Sequence, residues 1–320
     1  MEITTDTTTP AAGTPLAGGA PAASSPHRHI SRLLILPGVL LLLLLVLFPV
    51  VMEIYISLTT WTPTTGSQWY LAYQNWTWFD NYWDGLTSPS FLTSVLRTII
   101  ITVVATGIEF LFGFGLALLF LEKFLGRGVL TVLFLVPMMI VPAVSGFVFY
   151  LLLQTNGPVN YLLSAILPGD IEARWLTDPT LTPISVMLVD IWQWTPLMFL
   201  ILLAGLMAVP EDQIQAADIL GASWYQKLRH VVLPIVKPII LIALIIRGME
   251  AFKIFDAAWL LTQGGPGEAS STISVKLYRE AFQNSQWSYV AALAIIVMIF
   301  VSVAASQAIK PLEQRQEGSA

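Results

Sequence analysis

The chain has no cysteine. Disulfides, thiolate metal sites and cysteine nucleophiles are therefore excluded. Histidine is nearly as scarce: His27, His29 and His230 are the only three. No two of them share a metal-site spacing on a helix, which argues against zinc. Charge is also sparse, at 11% of residues, where a soluble domain carries about 25%. No basic face exists for nucleic acid, so no nucleic-acid partner is expected. The chain has no HExxH pair and no phosphate-binding P-loop with its lysine, so metalloprotease and nucleotide-hydrolase readings lose their motifs.

What the chain has instead is apolar length. Hydrophobic residues make up 56% and mean hydropathy is +0.74. Runs of about 20 apolar residues recur, enough to cross a bilayer. They predict an all-α polytopic membrane protein with six spans, at about 33–58, 91–121, 129–153, 181–209, 239–262 and 287–309. Residues 1–30 are small and polar and are expected to be a disordered tail. Residues 310–320 form a charged tail. Pro37 and Pro49 lie in the first span, and Pro137 and Pro142 in the third, where a bend is expected. Gly107, Gly113, Gly115 and Ala117 suggest close helix packing in the second.

Orientation follows from lysine and arginine. With the N-terminus inside, nine fall in inner segments (Arg28, Arg32, Lys123, Arg127, Lys227, Arg229, Lys237, Lys310, Arg315) and three in outer ones (Arg174, Lys276, Arg279). The bias predicts both termini in the cytoplasm. Residues 59–90 then lie outside. They hold eight Trp and Tyr residues and no Lys or Arg. They read either as an interfacial aromatic belt or as a loop that caps a path or meets a docking protein.

Ionisable residues inside spans are costly and usually face the bundle interior. Arg247, Glu250, Lys253 and Asp256 fall every third residue in the fifth span. They read either as a self-neutralising ladder or as a polar wall. The fourth span carries Asp190, Trp192, Gln193 and Trp194, a set suited to hydroxyls and C–H faces. The two tryptophans fit plain packing equally well. Candidate path residues are Asp190, Trp192, Gln193, Glu250, Lys253 and Asp256.

Between the fourth and fifth spans lies a polar island, Pro210–Pro238. Pro210, Glu211 and Asp212 suit a helix start. Ile214, Ala217, Leu220 and Trp224 form an apolar stripe at helical spacing. Gly221 permits a stop, Ser223 can cap a second short helix, and Pro234 and Pro238 close it. The residues alone allow an interfacial helix lying on the membrane or a handle for another protein.

Gln215-Ala216-Ala217, Gly221-Ala222 and Leu233-Pro234 are in register with the Glu-Ala-Ala loop of binding-protein-dependent ABC importer permeases. The chain departs from the pattern at Gln215 and Leu220, where acids are usual. Leu261-Thr262-Gln263-Gly264-Gly265-Pro266, Gly157-Pro158-Val159-Asn160 and Phe255-Asp256 resemble the carbohydrate-uptake branch, specifically the maltose-type first permease subunit. The resemblance covers roughly residues 30–310. It implies the type I importer permease fold in a bacterial or archaeal cytoplasmic membrane. It implies import of a sugar or related polyol, with a second homologous permease, two ATPase subunits and an extracytoplasmic solute-binding protein. ATP and magnesium would be bound by the ATPase partners, and this chain would carry no cofactor and no catalysis of its own. Glu211, Gln215, Ala216, Ala217, Gly221 and Ala222 would form a coupling helix against the ATPase. Gly264, Gly265 and Pro266 would dock the binding protein. The alternative from a different class is an ion-coupled secondary transporter using the intramembrane charges.

Overall fold

The computed structural model describes residues 27–317. The expected disordered tail, residues 1–30, lies outside the described residues as far as residue 26, and its last four residues instead begin a helix at His27. Among the described residues the regular structure is helical, joined by loops, apart from an isolated antiparallel bridge between Thr59 and Trp76. In hydrocarbon every backbone N–H and C=O must be satisfied within the chain, and a helix does this locally. Five helical stretches are long and apolar enough to span a membrane, and a bent pair makes six if it counts as one span.

The chain divides after Val51. The part before it is most of helix α1 (His27–Ser57), which holds both Pro37 and Pro49. Leu40, Leu41, Leu42, Leu44 and Leu45 are exposed there, as lipid-facing side chains are.

The second unit begins with the end of α1 and an aromatic loop. Asn81 Nδ2 donates to the carbonyls of Ser57 and Thr59, at 2.8 and 2.7 Å. Helix α2 (Asp80–Thr87) leads through Ser88 into α3 (Pro89–Leu119). Next come α4 (Arg127–Met139) and α5 (Pro142–Leu152), then short α6 (Pro158–Ile166) and long α7 (Leu181–Met207). Helix α8 (Glu211–Ile219) and one-turn α9 (Trp224–Lys227) precede α10 (Leu233–Phe252). Helices α11 (Asp256–Thr262), α12 (Ile273–Tyr278) and α13 (Trp287–Glu317) complete the chain. The charged tail continues α13 as far as Glu317.

The core is a three-helix contact between α3, α7 and α10. Ala117, Phe120, Phe199, Leu202, Leu206, Val236 and Ala243 are buried in it. Of the small residues expected to allow close packing in α3, Ala117 is fully buried and Gly113 touches α7. A Cβ on Gly113 would meet the Phe199 amide nitrogen at 2.9 Å, closer than real contacts allow. Gly107 and Gly115 have nothing within 4 Å of a Cβ, so they do not serve this packing.

Two spans are interrupted. The third, expected over 129–153 with a bend at its prolines, is α4 and α5 meeting at 95°. Pro142 starts α5, and the residue before a proline is pushed to extended backbone; Val141 sits at φ −60°, ψ 133°. The fifth, expected as one helix over 239–262, stops at Phe252 and restarts at Asp256. The charges at 247, 250, 253 and 256 therefore do not share one helix face.

The second short helix of the polar island also differs from expectation. It was to be closed by Pro234 and Pro238; instead α9 passes through a π-turn, Leu228–Val232, straight into α10. Pro234 cannot donate to the carbonyl four residues back. The preceding turn is wide, with Leu233 N bonded to Leu228 O.

Candidate functional site: a polar cavity at two helix breaks

The two broken spans meet. Gly146 of α5 lies against α11, where a Cβ would be 3.2 Å from Leu260 Cβ. Beside this contact is a cavity of about 190 Å³. Pro142 of α5 lines it, with Asp190, Gln193 and Trp194 of α7 and Arg247 and Glu250 of α10. Lys253, Ile254 and Phe255 from the break, and Asp256 and Ala257 of α11, complete the wall.

At its back is a buried ionic cluster. Arg247 Nη2 donates to Glu109 Oε1 at 2.9 Å and also to Asp190 Oδ2. Arg247 Nε lies 2.7 Å from Glu109 Oε2. Its N–H is not aimed along that line, so the contact is ionic without a second hydrogen bond. The three side chains are 3%, 0% and 5% exposed. Arg247 also sits 5.4 Å from the Trp194 ring centroid, in cation–π range. The cluster joins α3, α7 and α10 with two carboxylates and one guanidinium.

Five of the six expected path residues meet in this cavity: Asp190, Gln193, Glu250, Lys253 and Asp256. Their availability differs. Asp190 is held by Arg247. Gln193 Nε2 donates to Ile140 O at 2.8 Å; Ile140 ends α4, so this amide satisfies a carbonyl at the break. Glu250 and Lys253 pair at 2.8 Å with both side chains more than half exposed. Asp256 is exposed and has no side-chain partner among the described residues. The sixth, Trp192, is outside: it points from the other side of α7 and packs on Phe149, ring centroids 5.2 Å apart. Trp194 takes its place in the wall. One step of two residues turns an α-helix by more than half a revolution, so only one of the two tryptophans can face inward.

Sequence reasoning did not select Arg247, Glu109 or Trp194 as site residues. Glu109 had a signal, as a lone acid in an apolar run. Nothing in the sequence pairs it with Arg247, 138 positions away. The charges that motivated an ion-coupled reading are mostly neutralised against one another here.

At one end of the fifth span is the polar island. Glu211 and Asp212 occupy the first turn of α8, and Pro210 is its N-cap. Gly221 takes φ +73°, open to glycine without strain, and turns the chain after Leu220. Ser223 caps α9 with a reciprocal Gln226 bond. Asp218 and Lys227 pair at 2.6 Å across the turn. The expected stripe divides. Ile214 packs on the core and Ala217 is buried, while Leu220 is 86% and Trp224 64% exposed. Ile219 and Tyr225 join them at the surface. Gln215, Ala216 and Gly221 are exposed, and Ala222 half-buried.

At the other end is the Gly264 loop. Gly264 is buried at φ +86°, and a Cβ there would meet Val275 Cγ1 at 2.9 Å. It is a packing position, whereas Gly265 and Pro266 are half-exposed. The loop is tied to α3: Arg97 Nη1 donates to Ser271 O at 3.0 Å and Ser90 Oγ to Glu268 Oε2 at 3.1 Å. Nearby, Asn160 organises the Gly157-Pro158 turn. It donates to Thr155 O and Ala173 O and accepts from Trp175 Nε1, each at 2.8 Å.

Residues 109–316 match the family of binding-protein-dependent transport system inner membrane components. A probable ABC transporter permease protein of Sinorhizobium fredii is 37% identical over 83% of this chain and 84% of its own length. The trehalose/maltose transport system permease protein MalF of Thermococcus litoralis is 30% identical over 85% and 90%. A solved bacterial ABC transporter that imports the acidic polysaccharide alginate superposes with a TM-score of 0.76 over 90% of this chain and 96% of that one. At 21% identity it speaks for the fold alone. The chain is a multi-pass membrane protein that belongs to the permease family of binding-protein-dependent ABC importers.

Proposed function

We propose that the chain is one transmembrane half of an ATP-driven importer for a sugar or related polyol, and that the cavity at the α5/α11 breaks lies on the sugar's path. The observation that carries this reading is the cavity itself. It is a polar pocket set among apolar spans, at the two places where helices are interrupted. Non-helical backbone at membrane depth is tolerated where it lines a cavity or is buried in protein. Carboxylates accept hydrogen bonds from hydroxyls, and Trp194 and Phe255 offer apolar faces. The relative that carries trehalose and maltose in its name supports a sugar.

The partners follow from the family. A second permease would complete the path, and two ATPase subunits would bind ATP and magnesium. An extracytoplasmic binding protein would deliver the sugar at the Gly264 end. Both termini and the α8–α9 island would then face the cytoplasm, in a bacterial or archaeal plasma membrane. The exposed apolar tip of Ile219, Leu220, Trp224 and Tyr225 would enter the ATPase cleft, with Glu211, Gln215 and Ala216 beside it. Ala217 supports α8 from below, so Ala217→Arg would unpack the island rather than report on coupling. Ile219→Asp, at an exposed position of the tip, is the cleaner probe.

The test is reconstitution with the neighbouring subunits and measurement of sugar uptake and ATP hydrolysis over a panel that includes trehalose and maltose. Uptake should require the ATPase, and Ile219→Asp should abolish uptake while leaving binding-protein docking intact. Uptake without any ATPase, driven by a proton or sodium gradient, would overturn the proposal.

A further inference from the structure

The cavity wall carries five ionisable side chains: Asp190, Arg247, Glu250, Lys253 and Asp256. Three are acids and two are bases. Each base is already engaged. Arg247 spends its Nη2 on Asp190 and Glu109 and turns its Nε to Glu109, outside the wall. Lys253 is held by Glu250 at 2.8 Å. Asp256 alone has no side-chain partner among the described residues, and it stands exposed at the first turn of α11. The wall therefore offers a passing solute one carboxylate without a cation of its own, and two cations whose charge is already shared with acids.

From this we infer that the cavity sorts sugars by charge. It accepts uncharged and cationic sugars and turns away those bearing a carboxylate or sulfonate, with Asp256 as the discriminating residue. The inference rests on the cavity's being the sugar's path. A neutral hydroxyl can donate to Asp256 or to Glu250. An ammonium on an amino sugar gains an ion pair at Asp256. A uronate meets Asp256 as a like charge, and the two cations it could turn to already share their charge with Glu109, Asp190 and Glu250. Rejection of this kind acts through repulsion rather than shape. Two like charges about 6 Å apart at an effective dielectric of about 20 shift an equilibrium by on the order of a hundredfold. Asp256 is open to solvent and salt, which reduces the expected discrimination to about tenfold.

The experiment uses the assembled permease and ATPase complex in lipid nanodiscs without binding protein, so that selection by the binding protein is removed. Equilibrium binding is measured for trehalose, di-glucosamine and digalacturonate, for wild type and Asp256→Asn. Wild type should prefer both trehalose and di-glucosamine to digalacturonate by about tenfold. Asp256→Asn should bring the three close together, and so should high salt, because screening weakens a charge filter and leaves a steric one unmoved. Digalacturonate binding as well as trehalose in wild type, a preference unchanged in Asp256→Asn, or binding of none of the three would overturn the inference. The uptake assay with the full transporter separates the two claims. If a sugar is imported but Asp256→Asn changes no preference, charge selection falls and sugar import stands. If no sugar is imported, the path assignment falls and charge selection falls with it.

Discussion

Replacing Arg247 with methionine removes the guanidinium from a site where it faces two carboxylates, all three side chains being 5% exposed or less. Breaking a buried pair by removing one partner costs about 3–5 kcal/mol, because the remaining charge is left without compensation. The lost contact with the Trp194 ring adds about 1 kcal/mol. Methionine fills much of the volume, so little of the loss would come from a cavity. Glu109→Gln should behave differently. The native cluster holds one carboxylate more than its single guanidinium can balance. Glu109→Gln leaves a one-to-one pair between Arg247 and Asp190, and the glutamine oxygen can still accept from Arg247. Its cost should be about 1 kcal/mol or less, the worth of a weakened hydrogen bond. The two variants should differ by about 3 kcal/mol. Reversible unfolding in mixed micelles, followed by the fluorescence of the chain's 11 tryptophans, would measure the difference. Equal losses for the two, or wild-type stability for Arg247→Met, would refute the charge-imbalance reasoning. Replacing all three residues with Met or Leu should recover most of the loss, since apolar packing can substitute for a buried ion cluster.

Gly264→Ala should destabilise the loop after α11 by about 2 kcal/mol, from positive φ and the 2.9 Å approach to Val275; hydrogen exchange of residues 263–273 would register it, and unchanged protection would refute it. At the start of α7, the Thr180 and Leu181 amides bond the Asp178 carboxylate and hold its pKa below the usual carboxylate range. Its folded pKa is depressed, so the local order it provides is present above the ordinary value and lost only as pH falls through the lowered one. Amide protection at 180–182 should therefore persist through mildly acidic pH in wild type and be weaker throughout that range in Asp178→Ala, as read by exchange mass spectrometry.

Much of this protein is legible in one dimension. Apolar length set the number and approximate position of the spans, because a bilayer imposes a fixed thickness on every crossing. The α8–α9 island was readable because its signals are local: acids in the first turn, an αL glycine and a serine cap act within four residues. Its exposed tip was partly misread, since a stripe at helical spacing assumes one continuous helix, and Gly221 ends it. The third and fifth spans carried hints in Pro142 and in the clustered charges, but hydropathy does not record a 95° bend. Which tryptophan faces inward, which acid meets Arg247, and which carboxylate is left over depend on the rotation and depth of α3, α7 and α10 against one another. Those are set by side-chain packing between segments 57 and 138 positions apart. Composition and spacing supplied the chemistry of the cavity wall. Only the tertiary contacts decided that Asp190 and Gln193 serve the scaffold while Asp256 remains free to meet a solute.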